Sequence, residues 1–212
     1  MAAVDGLTAV SSAAAPLRPG LAPHLVLRHW PGWLAEADAW LAKLMAEVSW
    51  QQESLCLFGR RHPLPRLSCW MADPGCDYSY SGERQIPRPW NDSVLALRAS
   101  LSTLTGHLFN SVLLNLYRDG RDRMGWHADD EPELDPMAPI ASLSLGAARS
   151  FRFRPKGRGA EASRRLGLEL GPGDLLLMDP PTQQRWQHAL PIRRRVDGAR
   201  LNLTFRVVAS QG

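Results

Sequence analysis

The chain is poor in lysine, cysteine and tyrosine, and it has no long apolar run. Of its 25 basic residues only Lys43 and Lys156 are lysine; the rest are arginine. Guanidinium groups make forked, two-point contacts with carboxylate or phosphate, which an ammonium cannot. The three cysteines, Cys56, Cys69 and Cys76, form no CxxC pair. An odd number without close pairing fits free thiols in a reducing compartment better than a disulfide framework. No stretch approaches the length needed to span a bilayer. The Ala-rich segment Met1 to Pro16 lacks a basic start and a continuous apolar stretch, so it does not read as a secretory signal. There is no internal repeat.

What is present bounds the molecule. The 212 residues, 44% of them hydrophobic, are enough for one domain with a proper core. Eight tryptophans point to places where an apolar wall meets a polar partner. A formal charge of +4 permits a phosphate-bearing partner without demanding one.

Residues 1 to 22, rich in Ala, Ser, Gly and Pro without a period, read as a disordered or loosely docked segment. Residues 23 to 212 read as a single domain. Leu34, Leu41, Leu44, Met45 and Val48 recur at helical spacing, which predicts a helix over 34–48. Val94, Leu95, Leu97, Leu101 and Leu104 predict a second, capped by Asn91 or Asp92 and ended by Gly106. The stretch 56–90 between them reads as hairpins or loops. From residue 111 the texture changes to short strands separated by turn signals: 111–118, 140–145, 150–154, 165–170, 174–178, 185–190 and 199–208. Such spacing implies a sandwich or barrel. The expected class is α+β, with N-terminal helices packed on a double-sheet β core.

Side chains alternate between the faces of a strand. In the last strand Leu201, Leu203 and Phe205 share one face; Arg200, Asn202, Thr204 and Arg206 share the other. An ordinary strand would turn that polar face to solvent, yet two guanidinium groups spaced by Asn and Thr also suit a small dianion. Asn115 and Tyr117, on one face of 112–118, could bond the same ligand. His127 and Asp129, two apart, would point the same way in extended backbone. With a second His from far along the chain, His188, they would complete the two-His-one-carboxylate set of non-haem Fe(II) oxygenases.

These segments resemble the core of AlkB-type DNA-repair dioxygenases: Asn115-Leu116-Tyr117 with Gly120, His127-Ala128-Asp129-Asp130-Glu131, Pro139 to Gly146, His188-Ala189-Leu190-Pro191 and Arg200 to Arg206. The likeness spans roughly 55–208 and is nearer to the vertebrate nuclear homologues acting on duplex DNA than to the founding bacterial enzyme. It implies a double-stranded β-helix (jelly-roll) core at about 108–208 under a nucleotide-recognition lid at about 55–90. It implies Fe(II) on His127, Asp129 and His188. The cosubstrates would be 2-oxoglutarate, held by Asn115, Tyr117, Arg200, Asn202, Thr204 and Arg206, and O2. The implied activity is oxidative dealkylation of bases such as N1-methyladenine and N3-methylcytosine, releasing formaldehyde, succinate and CO2.

On the substrate side the target base must leave the stack. The resemblance assigns Tyr78, Tyr80 and Ser81 to the lid hairpin that clamps it. Asp130 and Glu131 would favour a cationic methylated base, although a solvated acidic turn would look the same. Phe58, with Gly59 and Arg60, aligns with a finger whose aromatic fills the gap left by the flipped base; a core Phe is the plainer reading. Arg60, Arg61, Arg66, Arg121, Arg123 and Arg193–Arg195 are candidate phosphate contacts. The segment Cys69 to Gly75, with Trp70, departs from the relatives. The expected partner is DNA, or RNA, carrying alkylated bases, with no membrane and a monomeric chain. The expected location is the nucleus, or in a bacterium the cytoplasm with its nucleoid. Other readings remain: a 2-oxoglutarate dioxygenase acting on RNA, protein or a small molecule, or a non-catalytic cupin-like metal-binding module.

Overall fold

The computed structural model describes residues 15–16, 22–57, 59–76, 78–80, 83–157 and 165–209. The first half of the chain runs β1 (Ala15–Pro16), β2 (Val26–Trp30), α1 (Ala37–Glu47), β3 (Ser54–Leu57), β4 (Arg60–Pro63), β5 (Leu67–Ala72), β6 (Tyr78–Tyr80), β7 (Glu83–Gln85) and α2 (Asp92–Thr105). The second half runs β8 (Ser111–Tyr117), β9 (Met124–His127), β10 (Ile140–Gly146), β11 (Arg149–Pro155), β12 (Leu166–Leu170), β13 (Leu175–Asp179), α3 (Thr182–Arg185), β14 (Trp186–Leu190) and β15 (Arg200–Arg206).

Two antiparallel sheets make the core. The larger has the order β1-β2-β13-β10-β15-β8-β5; the smaller is β12-β11-β14-β9. Two hairpins, β3-β4 and β6-β7, stand outside them. This is the jelly-roll arrangement. The seven strands expected beyond residue 111 all form within a residue or two of their anticipated ends. Sequence reading did not anticipate β2, β5 or β9. The six residues of β5, Leu67 to Ala72, are what the 56–90 stretch conceals: a strand hydrogen-bonded to β8 at the sheet edge, not a loop. Of residues 1–22, Ala15–Pro16 pair with Arg28 and His29 of β2; residues 1–14 and 17–21 lie outside the described residues.

The larger sheet separates two apolar layers by strict alternation. Val112, Leu114, Leu116, Ala141, Leu143, Leu145, Leu175, Leu177, Leu201, Leu203 and Phe205 face away from the smaller sheet. There they meet Trp40 and Leu44 of α1 and Val94, Leu97 and Leu101 of α2. The opposite positions, with Ile140, Leu176 and Met178, meet Phe151, Phe153, Trp186 and Leu190 between the sheets. Each fully buried large aliphatic side chain contributes roughly 1.5–3 kcal/mol, so both layers resist slippage of the strands. Helix α2 begins where Asn91 Oδ1 accepts from the Val94 amide at 2.8 Å. It ends at Gly106, whose φ of 74° is left-handed.

Candidate metal and dianion site

The site lies between the two sheets, where the inward positions of β8, β10 and β15 turn polar. In β15 the polar face that an ordinary strand would turn to solvent is buried along its length; Arg200 is 1% exposed and Arg206 5%. Register sets Arg200 opposite Tyr117 and Asn202 opposite Asn115 on β8, and Asn202 opposite Ser144 on β10. The Arg200 guanidinium donates to Ser144 Oγ and Asn202 Oδ1, each at 2.8 Å. Ser142 Oγ donates to the same Asn202 oxygen at 3.0 Å, and Asn202 Nδ2 donates to Thr204 Oγ1 at 2.8 Å. Ser142 and Ser144 were not singled out from sequence. Their signal was there: in β10 they alternate with Ala141, Leu143 and Leu145.

The three candidate ligands converge. His127 closes β9 and His188 sits in β14, and the two are direct cross-strand partners. Their rings lie 4.1 Å apart, centroid to centroid. Asp129 Oδ1 is 3.7 Å from His127 Nε2, and Oδ2 is 3.4 Å from His188 Nε2. Asp129 does not reach this position by strand alternation. β9 ends at His127, and Asp129 takes a left-handed φ of 49°. Asp tolerates that conformation better than most residues, but it still carries strain. The surrounding contacts hold it: Arg206 Nη2 donates to Asp129 Oδ1 at 2.7 Å.

The electrostatics suit a cation. Burial favours a neutral Asp129, but Arg206 and the two imidazoles outweigh it and hold the carboxyl well below its ordinary range. Burial, reinforced by His188, pushes His127 down to about 4, so the ring is neutral at pH 7. Its Nδ1 lies 2.9 Å from the Gly125 carbonyl; donation there leaves Nε2 as the lone pair facing Asp129. Two imidazoles and one ionised carboxylate, all within 4.8 Å of one another, fit a divalent metal ion.

The same pocket fits a dianion. Asp129 offsets Arg206, but Arg200 meets only neutral oxygens, and its buried Nε has no hydrogen-bond partner. Burial lowers the Arg200 guanidinium to about 10. A buried cation without a counter-charge is costly, and a carboxylate entering between Arg200 and Tyr117 would relieve that cost. Burial also raises the Tyr117 phenol, which keeps its O–H as a donor.

The remaining expected residues scatter. Arg66, expected at a phosphate, is instead buried, 5% exposed, and donates from Nε to Asn115 Oδ1 at 2.9 Å. It braces the dianion face. Arg60 is exposed in β4, next to Gly59, whose left-handed φ of 75° makes the β3–β4 turn. Asp130 is exposed and pairs with Lys156. Glu131 is half-buried; its Oε2 has no hydrogen-bond partner and borders a cleft of about 300 Å³ that also touches Asp129, Gln183 and Arg206. Phe58 and Ser81 lie outside the described residues, and Tyr78 and Tyr80 are described by backbone alone, paired with Gln85 and Glu83.

Comparisons with known proteins agree with this geometry. The family model for the 2OG-Fe(II) oxygenase superfamily matches residues 26–206. The DNA oxidative demethylase ALKBH2 of Mus musculus is 43% identical over 181 residues, covering 82% of this chain and 76% of that protein. The DNA oxidative demethylase ALKBH2 of Homo sapiens is 44% identical over 181 residues, covering 82% and 69%. The alpha-ketoglutarate-dependent dioxygenase alkB homolog 3 of Rattus norvegicus is 39% identical over 187 residues, covering 84% and 63%.

Proposed function

Because this chain belongs to the 2OG-Fe(II) oxygenase superfamily, we propose that it is an AlkB-type DNA oxidative demethylase. It removes alkyl groups from N1-methyladenine and N3-methylcytosine type lesions in DNA, releasing formaldehyde, succinate and CO2. The observation that carries the reading is the meeting of His127, Asp129 and His188 beside an uncompensated buried Arg200. The likeness to two groups of relatives, one of them named as DNA oxidative demethylases, supports the substrate class.

Each residue has a task in this reading. His127, Asp129 and His188 hold Fe(II), and three ligands leave open positions for 2-oxoglutarate and O2. Arg200 and Tyr117 anchor the far carboxylate of 2-oxoglutarate, while Asn115, Asn202 and Thr204 order the pocket around it. Arg206 orients Asp129 and faces the end of the cosubstrate nearest the ligands. When bound, the iron and its cosubstrates supply the oxidising power for C–H hydroxylation; the protein places the N-methyl group and limits water.

Tyr78, Tyr80 and Ser81 clamp the flipped base, and Glu131, with Asp130, favours its positive charge. Phe58, with Gly59 and Arg60, fills the gap in the duplex. DNA is the expected partner over RNA, and the chain acts as a monomer in the nucleus or on the nucleoid. No described helix is long and apolar enough to cross a membrane.

The test is turnover of an oligonucleotide carrying one N1-methyladenine, with Fe(II) and 2-oxoglutarate added. Stoichiometric formaldehyde and succinate are expected. Succinate formed only with an RNA, protein or small-molecule substrate would defeat the DNA reading, and no succinate with any would favour a binding module.

A further inference from the structure

The β6–β7 hairpin lies between Asp73 and Trp90 in the chain. Those two residues are joined side chain to side chain: Trp90 Nε1 donates to Asp73 Oδ1 at 2.8 Å. Arg98, on α2, closes the junction. It donates from Nη1 to Asp73 Oδ1 at 2.8 Å and from Nη2 to Asp73 Oδ2 at 2.7 Å. Its guanidinium carbon also stands 4.7 Å from the centre of the Trp90 ring. One fork therefore grips both roots of the hairpin at once.

We propose that Asp73, Trp90 and Arg98 form a clasp that sets the position of the β6–β7 hairpin relative to the site, and so governs how tightly a damaged base is held. The inference rests on the reading of that hairpin as the base clamp.

The surroundings make the clasp a transmitter rather than a local ornament. The backbone beside it is zipped, the Arg88 amide donating to the Trp70 carbonyl at 2.8 Å. The Asp73 amide donates to the Asn110 carbonyl at 2.9 Å. Asn110 in turn holds Val208 through both its amide atoms, at 2.8 and 2.7 Å. Its own amide donates to the Arg206 carbonyl. A continuous path thus runs from the hairpin roots to the end of the strand that carries Arg200 and Arg206. At its other end Arg98 rides on a helix whose Val94, Leu97 and Leu101 are sealed in the core. The roots are thus pinned to rigid elements. A bidentate Arg–carboxylate bond that also stacks on an aromatic ring is directional, and a lysine cannot reproduce it.

None of the three residues touches the metal ligands or the dianion pocket, so they are positioning residues. Three variants separate this role from mere stability: Arg98→Lys keeps the charge, Trp90→Phe keeps a ring but removes the N–H, and Asp73→Asn keeps the shape. Full-length protein loaded with Fe(II) would be assayed on a methylated oligonucleotide, with melting temperature followed in parallel. KM for the oligonucleotide should rise about threefold to tenfold, with kcat and the substrate-free turnover of 2-oxoglutarate to succinate within twofold of wild type. A second readout needs no activity. Trypsin has one site in the hairpin, after Arg84, since Arg88 precedes Pro89. Cleavage there should be at least fivefold faster in each variant. Unchanged KM and unchanged cleavage after Arg84 would overturn the clasp, as would a fall in kcat, substrate-free turnover and melting temperature together. If wild-type protein fails to demethylate the oligonucleotide, the functional reading fails, while the trypsin comparison still decides whether the clasp holds the hairpin.

Discussion

At the scale of single residues, the site is a balance of charge in a buried space. Asp129 is the only carboxylate among the described residues lining the inner pocket, against Arg200 and Arg206. Replacing Asp129 or His127 with Ala removes one of three donors. Succinate and formaldehyde production should fall below detection, while DNA binding followed by fluorescence anisotropy stays measurable. Full activity in either variant would mean the ion is held elsewhere. Arg200→Lys should raise KM for 2-oxoglutarate about 10- to 100-fold, because hydrogen bonds to charged groups contribute about 1.5–3 kcal/mol and an ammonium lacks the fork. Steady-state kinetics with varied 2-oxoglutarate would check it; an unchanged KM would place the cosubstrate away from Arg200. At this scale the sequence was most legible in type and least in posture. The identity of His127, Asp129 and His188 could be read from the chain, but not the left-handed turn at Asp129, because backbone strain is imposed by neighbours. Arg66 shows the converse: an arginine that reads as a surface cation is buried against Asn115.

At the scale of elements, the loop between β8 and β9 delivers His127. Its backbone lies against the 193–196 turn, with the Gly120 amide donating to the Val196 carbonyl at 2.7 Å. A Cβ at Gly120 would stand 1.8 Å from the Arg193 carbonyl oxygen, backbone that cannot swing away. Gly120→Ala should therefore cost roughly 2–3 kcal/mol, read as a lower urea midpoint with unchanged slope. The same loop carries Asp122, which accepts from the Arg118 amide at 2.9 Å and from its guanidinium at 2.8 and 2.9 Å. Burial works against the charged form, but these bonds prevail and hold the Asp122 carboxyl below its ordinary value. A depressed carboxylate stabilises the fold fully above its unfolded value of about 3.9 and loses that contribution as pH falls through the folded value. Asp122→Asn should thus melt below wild type at pH 7, and the gap should close as pH drops under about 4. A gap independent of pH would show that the ionised pair contributes nothing. The proposed function adds a third expectation at the β3–β4 turn: Phe58→Ala should slow repair of duplex DNA more than of single strands, and equal losses would remove the wedge role.

At the scale of the whole molecule, the site spans the two sheets. His127 and His188 come from the smaller sheet, Arg200 and Arg206 from the larger, and Asp129 bridges them. A ligand set that spans both sheets should bind the folded state alone. Mn(II) with 2-oxoglutarate at about 100 times the dissociation constant should then add about 2.7 kcal/mol, or about 5–10 °C in melting temperature for a domain of this size. Chelator should reverse the shift, and no shift would sever the pocket from the fold. The sequence by itself determined seven of the eight described strands from residue 111 on, both long helices and the polar face of β15, because period-2 and period-3.6 patterns are local and survive without a fold. It left open whether that polar face met water, since alternation divides the faces of a strand without saying which is covered. Closure of the second sheet over the first decided this. It also set His188 opposite His127, recruited β2 to the flank of β13 and β5 and β9 to sheet edges, none of which their short segments announce, and buried Arg200 without a counter-charge. Those outcomes depend on contacts across dozens of residues of chain, and no local pattern encodes them.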